Sequence, residues 1–160
     1  MTKYKVFALA LLLALAAFDL GSAPANAGET VPIKGNGSGT ITFNQATGGF
    51  TGEESGIASH LGKYNLRLQG TGERAADGTF NGRGTVTIVA QNGDRLTGPF
   101  TVSGKGDTMR VVITITDGTG RFDGATGTMT VICVASGPPR QEGQVQIFDH
   151  DCTMNGRISN

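Results

Sequence analysis

From Asp107 to Thr116 the side chains change character with a period of two. Met109, Val111, Ile113 and Ile115 fall on one face, and Thr108, Arg110, Thr114 and Thr116 on the other. Only an extended strand with one dry and one wet face requires that pattern. The preceding segment obeys the same rule, with Leu96, Phe100 and Val102 opposing Thr97, Thr101 and Ser103. Beyond residue 27 no helical period of useful length competes with it. A short signature recurs as Gly39-Thr40-Ile41-Thr42-Phe43, Gly84-Thr85-Val86-Thr87-Ile88 and Gly127-Thr128-Met129-Thr130-Val131, at offsets of 45 and 43 residues. Repeats near that length build propeller blades, but three blades make a smaller ring than propellers use. The repeats read instead as three strands of one sheet, with Gly at the start, Thr outward and the apolar residue inward.

The chain holds 26 glycines, and they punctuate runs of Val, Ile, Thr and Phe, the composition of twisted sheets with tight corners. Strands are predicted near 33–43, 55–61, 63–70, 78–90, 95–104, 107–116, 126–135, 144–149 and 152–159, some of them parts of one bent strand. Turn chemistry separates them at Ala76-Asp77-Gly78, Gln91-Asn92-Gly93-Asp94, Gly104-Lys105-Gly106-Asp107 and Gly137-Pro138-Pro139. Ile57 and Leu61 sit on odd positions, whereas Tyr64, Leu66 and Leu68 sit on even ones. A β-bulge at Gly62 would restore one inward face. The predicted fold is all-β, a closed antiparallel β-barrel of about eight strands, since closure leaves no unpaired edge. A membrane-spanning barrel is set aside because the faces opposite the apolar residues carry Thr, Arg, Lys and Asn.

The stretch TDGTGRFDGATGTMTV, residues 116 to 131, has the glycine density of a phosphate-binding loop. Such a loop needs a Lys-Ser/Thr pair and a following helix, and this one runs into a strand. It reads as a barrel corner, its glycines supplying positive φ and its Phe122 ring tucked over one end of the barrel.

The run TGRFDGATGTMTV resembles the glycine-rich hairpin of the barrel superfamily that contains allene oxide cyclases and plant dirigent proteins. It is still more similar to small secreted bacterial proteins with that barrel. ASHLGKYNLRLQG, NGDRLTGPFTVSG and CTMNGRIS occur in the order those proteins show, so the resemblance covers most of the chain after residue 27. It implies an eight-stranded antiparallel barrel with a central cavity. In cyclase and dirigent members that cavity holds an apolar substrate, and several members form trimers. Their catalytic carboxylates match no position here residue by residue. These motifs are glycine-and-turn patterns, which specify fold better than chemistry.

The first 27 residues have the layout of a secretory signal: the basic start MTKYK, the apolar run VFALALLLALAA and the small-residue site Ala25-Asn26-Ala27. The apolar run is too short for a membrane-spanning helix. One barrel domain over 28–160 is expected, exported to the periplasm or the medium. Acidic and basic residues number 13 each, and no Lys/Arg cluster occurs, which argues against nucleic acid as a partner. In an oxidising compartment Cys133 and Cys152 are expected to pair; the alternative is two buried free thiols.

His60, beside the proposed bulge and near Glu53 and Glu54, is the candidate general base. Asp149-His150-Asp151 could join it around a zinc ion, since Zn²⁺ accepts nitrogen and oxygen ligands, but the tripeptide also suits a polar turn between two strands. The reading preferred here assigns neither metal nor cofactor. Tyr64, Leu66, Phe100, Val111, Ile113 and Met129 point inward in this register and are the candidate ligand-binding residues. The leading expectation is a non-enzymatic barrel that binds a small apolar molecule or serves as an interaction module. The rival is a cyclase- or dirigent-type catalyst, which requires at least two polar groups converging inside the cavity.

Overall fold

The computed structural model describes residues 28–159; the predicted signal, 1–27, lies outside them. The chain is all-β, and eight antiparallel strands close into a barrel. Strands β1 (Thr30–Asn44), β2 (Gly49–Ala58), β3 (Gly62–Arg74), β4 (Phe80–Ala90), β5 (Arg95–Lys105) and β6 (Thr108–Ile115) follow one another as a meander. A two-residue strand, β7 (Asp117–Gly118), pairs with β5, and a 3-10 turn over Gly120–Phe122 follows it. Strand β8 (Thr126–Ala135) returns beside β6; β9 (Arg140–Glu142) forms a short flap on the start of β10 (Val145–Ser159). β10 lies between β8 and β1, and its pairing with β1 from Thr30↔Ser159 to Asn44↔Val145 seals the wall.

Alternation decides which side chains fill the interior. On β6, Val111, Ile113 and Ile115 are buried, while Thr108, Arg110 and Thr114 are exposed. The strand pairings place two different plugs at the two ends. At one end Phe122, 4% exposed, packs into the core with Ala125, Ile33 and Ile158. The stretch 116–131 is therefore a corner, with positive φ at Gly120, Gly124 and Gly127. At the other end Phe43, Phe50, Phe80 and Phe100 meet edge to face, with ring centroids 5.4–5.9 Å apart.

Two local expectations need correction. The parity change near Gly62 is a hairpin rather than a bulge. β2 ends at Ala58, and residues 59–61 turn the chain into β3, Ala58 pairing with Gly62. Even-numbered residues point inward on both strands, so Ile57 lies outside, 61% exposed. Asp149-His150-Asp151 is likewise no turn; the segments 144–149 and 152–159 are one strand, β10.

Cys133 and Cys152 sit opposite each other on β8 and β10 and form a disulfide inside the wall. Their sequence separation is 19. Closing a loop of that size limits the unfolded chain by about 3 kcal/mol. Replacing both cysteines by alanine should lower the unfolding free energy by about that amount, read as a lower urea midpoint with a steeper slope, because the unbridged denatured chain exposes more surface. A loss under ~1 kcal/mol would show that the denatured chain gains little freedom when the bridge is removed.

Candidate functional site

Among the described residues the interior contains one polar cluster, and glycines create the space for it. Across one row of the wall, His150 on β10, Gly39 on β1 and Glu54 on β2 lie side by side. The next inward row runs Cys133, Cys152, Gly37, Gly56 and Tyr64 across β8, β10, β1, β2 and β3. A side chain at Gly37 would have no room: a Cβ there would lie 2.5 Å from Tyr64 Oη and 2.7 Å from Glu54 Oε1. The missing Cβ is the space into which the phenol and the carboxyl group meet.

Glu54, Tyr64 and His150 are all buried, at 7, 2 and 4% exposure. The Tyr64 hydroxyl donates a short hydrogen bond to Glu54 Oε1. His150 Nε2 stands 4.0 Å from Glu54 Oε2, and its Nδ1 is buried without a hydrogen-bond partner. Burial raises the Glu54 carboxyl above its ordinary range, and the Tyr64 bond opposes that rise only in part. Burial raises the Tyr64 phenol too, reinforced by its bond to Glu54. The His150 imidazole moves the other way, lowered by burial against smaller opposing effects from the Phe148 backbone, Asp151 and Asp149. Both members of the Glu54–His150 pair are thus pushed toward their neutral forms.

Two small cavities adjoin this cluster. One, of about 60 Å³, opens at the phenylalanine end and is lined by Phe43, Phe50, Phe80, Phe100, Phe148 and His150, among others. The second, of about 20 Å³, lies deeper, against Glu54, Leu66, Ile113, Val131, Cys133 and His150. Ile41, Leu68, Val111 and His150 line both. A broader depression of about 720 Å³ crosses the outer wall over Thr42, Thr51, Thr85 and the exposed Arg67–Glu53 ion pair. Its side chains are exposed or half-buried, as on any solvated face.

Of the candidate ligand-binding residues, all six are buried in the core: Tyr64, Leu66, Phe100, Val111, Ile113 and Met129. Phe100 and Val111 line the outer cavity, and Leu66, Val111 and Ile113 the inner one; Tyr64 and Met129 line neither, and Tyr64 donates a hydrogen bond to Glu54. His60 is not brought to them. It occupies the tip of the β2–β3 hairpin, exposed, with φ of 61°. A tight turn needs that left-handed residue, and the turn aims the ring at solvent. The imidazole inside is His150, and the inward carboxyl is Glu54. Asp149 faces outward, where Arg140 and Thr40 donate to it and hold it below the usual carboxylate range. Both interior residues were in phase with their neighbours. Phe50, Glu54 and Ala58 share one parity, as do Phe148, His150, Cys152, Met154 and Ile158.

The opposed shifts of Glu54 and His150 give an expected pH signature. A raised carboxyl contributes stability that is present below pH 4.5 and lost as pH rises through its folded value. A depressed imidazole contributes stability that is present above pH 6.5 and lost as pH falls. In the wild type the two slopes partly cancel in the overlap. Glu54→Gln should leave stability falling only toward acid, and His150→Gln should leave it falling only as pH rises above 4.5. Each slope is bounded by about 1.4 kcal/mol per pH unit. Denaturant titrations from pH 4 to 8 read both; identical profiles for the two variants would mean that neither group is perturbed.

Comparison with known proteins finds no matching family model, no curated protein and no solved structure. The geometry of the interior is accordingly what supports a function.

Proposed function

We propose that this barrel is an exported binding protein for a small, mostly apolar molecule that carries one hydrogen-bonding group. The molecule enters past the phenylalanines and directs its polar end to His150 and Glu54. One observation carries the reading: the apolar cavity at the phenylalanine end meets the buried polar cluster through His150, which lines both cavities. About 10–15 Å³ accommodates a water molecule, so the outer cavity of about 60 Å³ admits a short aliphatic chain. A buried polar atom without a partner is costly, and a ligand that hydrogen-bonds to Nδ1 of His150 removes that cost. The disulfide suits the oxidising compartment that export implies. Closure into eight antiparallel strands is the architecture that the resemblance to allene oxide cyclase and dirigent-like barrels requires, and it is shared by barrels of other kinds.

Titration with six- to eight-carbon alkanes, alcohols and ketones, followed by backbone NMR shifts, tests this. The oxygenated compounds should bind about tenfold more tightly than the alkanes, the value of one added hydrogen bond. Val111→Phe, which fills the space shared by both cavities, should abolish binding, whereas His60→Gly should leave it unchanged. Absence of saturable binding across the panel, or full binding by Val111→Phe, would refute the reading.

A second reading is favoured by the convergence of three ionisable groups in a dry site. Glu54, relieved of its proton, is positioned to accept one from the carbon next to a bound carbonyl, with His150 or Tyr64 hydrogen-bonded to the resulting oxyanion. A bound ketone should then exchange its α-protons for deuterium in D₂O faster than free ketone does. Glu54→Gln should remove that excess. Equal exchange with and without protein excludes catalysis and leaves the binding role standing.

A further inference from the structure

We propose that reduction of the Cys133–Cys152 disulfide uncovers a four-ligand site for Zn²⁺, completed by His150 and Glu54. Disulfide and metal are then alternative ways to join the same cluster. This goes beyond ligand binding by the oxidised barrel and does not depend on it.

Glu54, Cys133, His150 and Cys152 each present one donor atom, all four within 4.8 Å of one another and all buried. A tetrahedral zinc site with Zn–S near 2.3 Å and Zn–N or Zn–O near 2.0–2.2 Å has donor-to-donor edges of about 3.3–3.8 Å. Contraction by roughly an ångström, with separation of the two sulfurs once their bond is broken, produces that geometry. Two thiolates, one imidazole and one carboxylate are ligand types that zinc accepts.

Two further features mark the cluster as a site rather than a chance grouping. His150, 4% exposed, has a buried Nδ1 without a well-formed hydrogen bond, so at most a weak contact with the Phe148 backbone has to yield before the ring ligates. Tyr64 donates to Glu54 Oε1 and leaves Oε2, on the His150 side, for a metal. Outer hydrogen bonds of this kind orient metal ligands. The backbone supports the same arrangement. His150 and Cys152 are two residues apart on one face of β10, Cys133 is the cross-strand partner of Cys152, and Glu54 is reached across Gly39.

The chemistry balances with a dithiol as reductant. Its two sulfurs surrender two electrons and two protons, the Cys133–Cys152 bond breaks into two thiols, and the dithiol leaves as a disulfide. Zinc then displaces the two thiol protons and the proton held by the buried Glu54 carboxyl to solvent as the Zn–S and Zn–O bonds form. Three anionic ligands around Zn²⁺ leave one excess negative charge, against which the Tyr64 hydroxyl is already directed.

The test unfolds the protein, opens the disulfide with a phosphine, which takes oxygen from water, and refolds it with and without equimolar Zn²⁺ or Co²⁺. Reduced protein should bind one metal ion. The cobalt form should show thiolate charge-transfer and tetrahedral d–d absorption, and competition with a chromophoric chelator gives the affinity. Oxidised protein should bind none. His150→Phe and Glu54→Gln should each weaken binding by at least tenfold. If the reduced chain does not refold alone, zinc should restore its β-sheet circular dichroism. No metal bound by refolded reduced protein, no recovery by an unfolded one, or equal affinity in His150→Phe would each overturn the proposal.

Discussion

The pairing of β1 with β10 controls this molecule. The strands are fifteen residues each, and they pair along their whole lengths. Joining the two ends of the sheet removes its exposed edges and fixes which residues face a closed interior. On β1 the inward positions include Gly35, Gly37 and Gly39, so the seam of the barrel is also its thinnest wall. The volume these glycines leave empty is taken by side chains from neighbouring strands.

A closed interior changes the chemistry of what it encloses. On an exposed sheet Glu54 and His150 would be an ordinary weak ion pair. Inside the barrel, desolvation penalises the charge on each, and the pair is driven toward neutrality from both sides. The same enclosure places the disulfide against two groups able to ligate or transfer protons. Apolar packing supplies most of the structure, while the polar cluster introduces a cost that packing alone does not explain.

Much of the wall could be read from alternation. β6 and β5 were legible because every inward position is aliphatic or aromatic apart from Gly98 and Gly104, and every turn carries Gly, Asn or Asp. The corner around Phe122 was legible because its glycines lie between two unmistakable strands. β2 was harder, since its inward face reads Phe50, Gly52, Glu54, Gly56, Ala58, and only Phe50 among them is a large apolar residue. Ile57 misled because a lone exposed isoleucine costs little and looks like core. At Asp149-His150-Asp151 two outward acids concealed an inward histidine that was in phase with Cys152 and Met154.

The amino-acid order by itself determined strands, corners, an inward apolar face and two cysteines in one sheet. All of these follow from local periodicity and turn chemistry, which neighbouring residues settle among themselves. Only the tertiary structure decided that Glu54, Tyr64, His150 and the disulfide share one space, and that His60 does not. That outcome depends on register between strands distant in sequence, where Gly39 is flanked by Glu54 on one side and His150 on the other. A shift of one residue in that register would turn the whole cluster out to water.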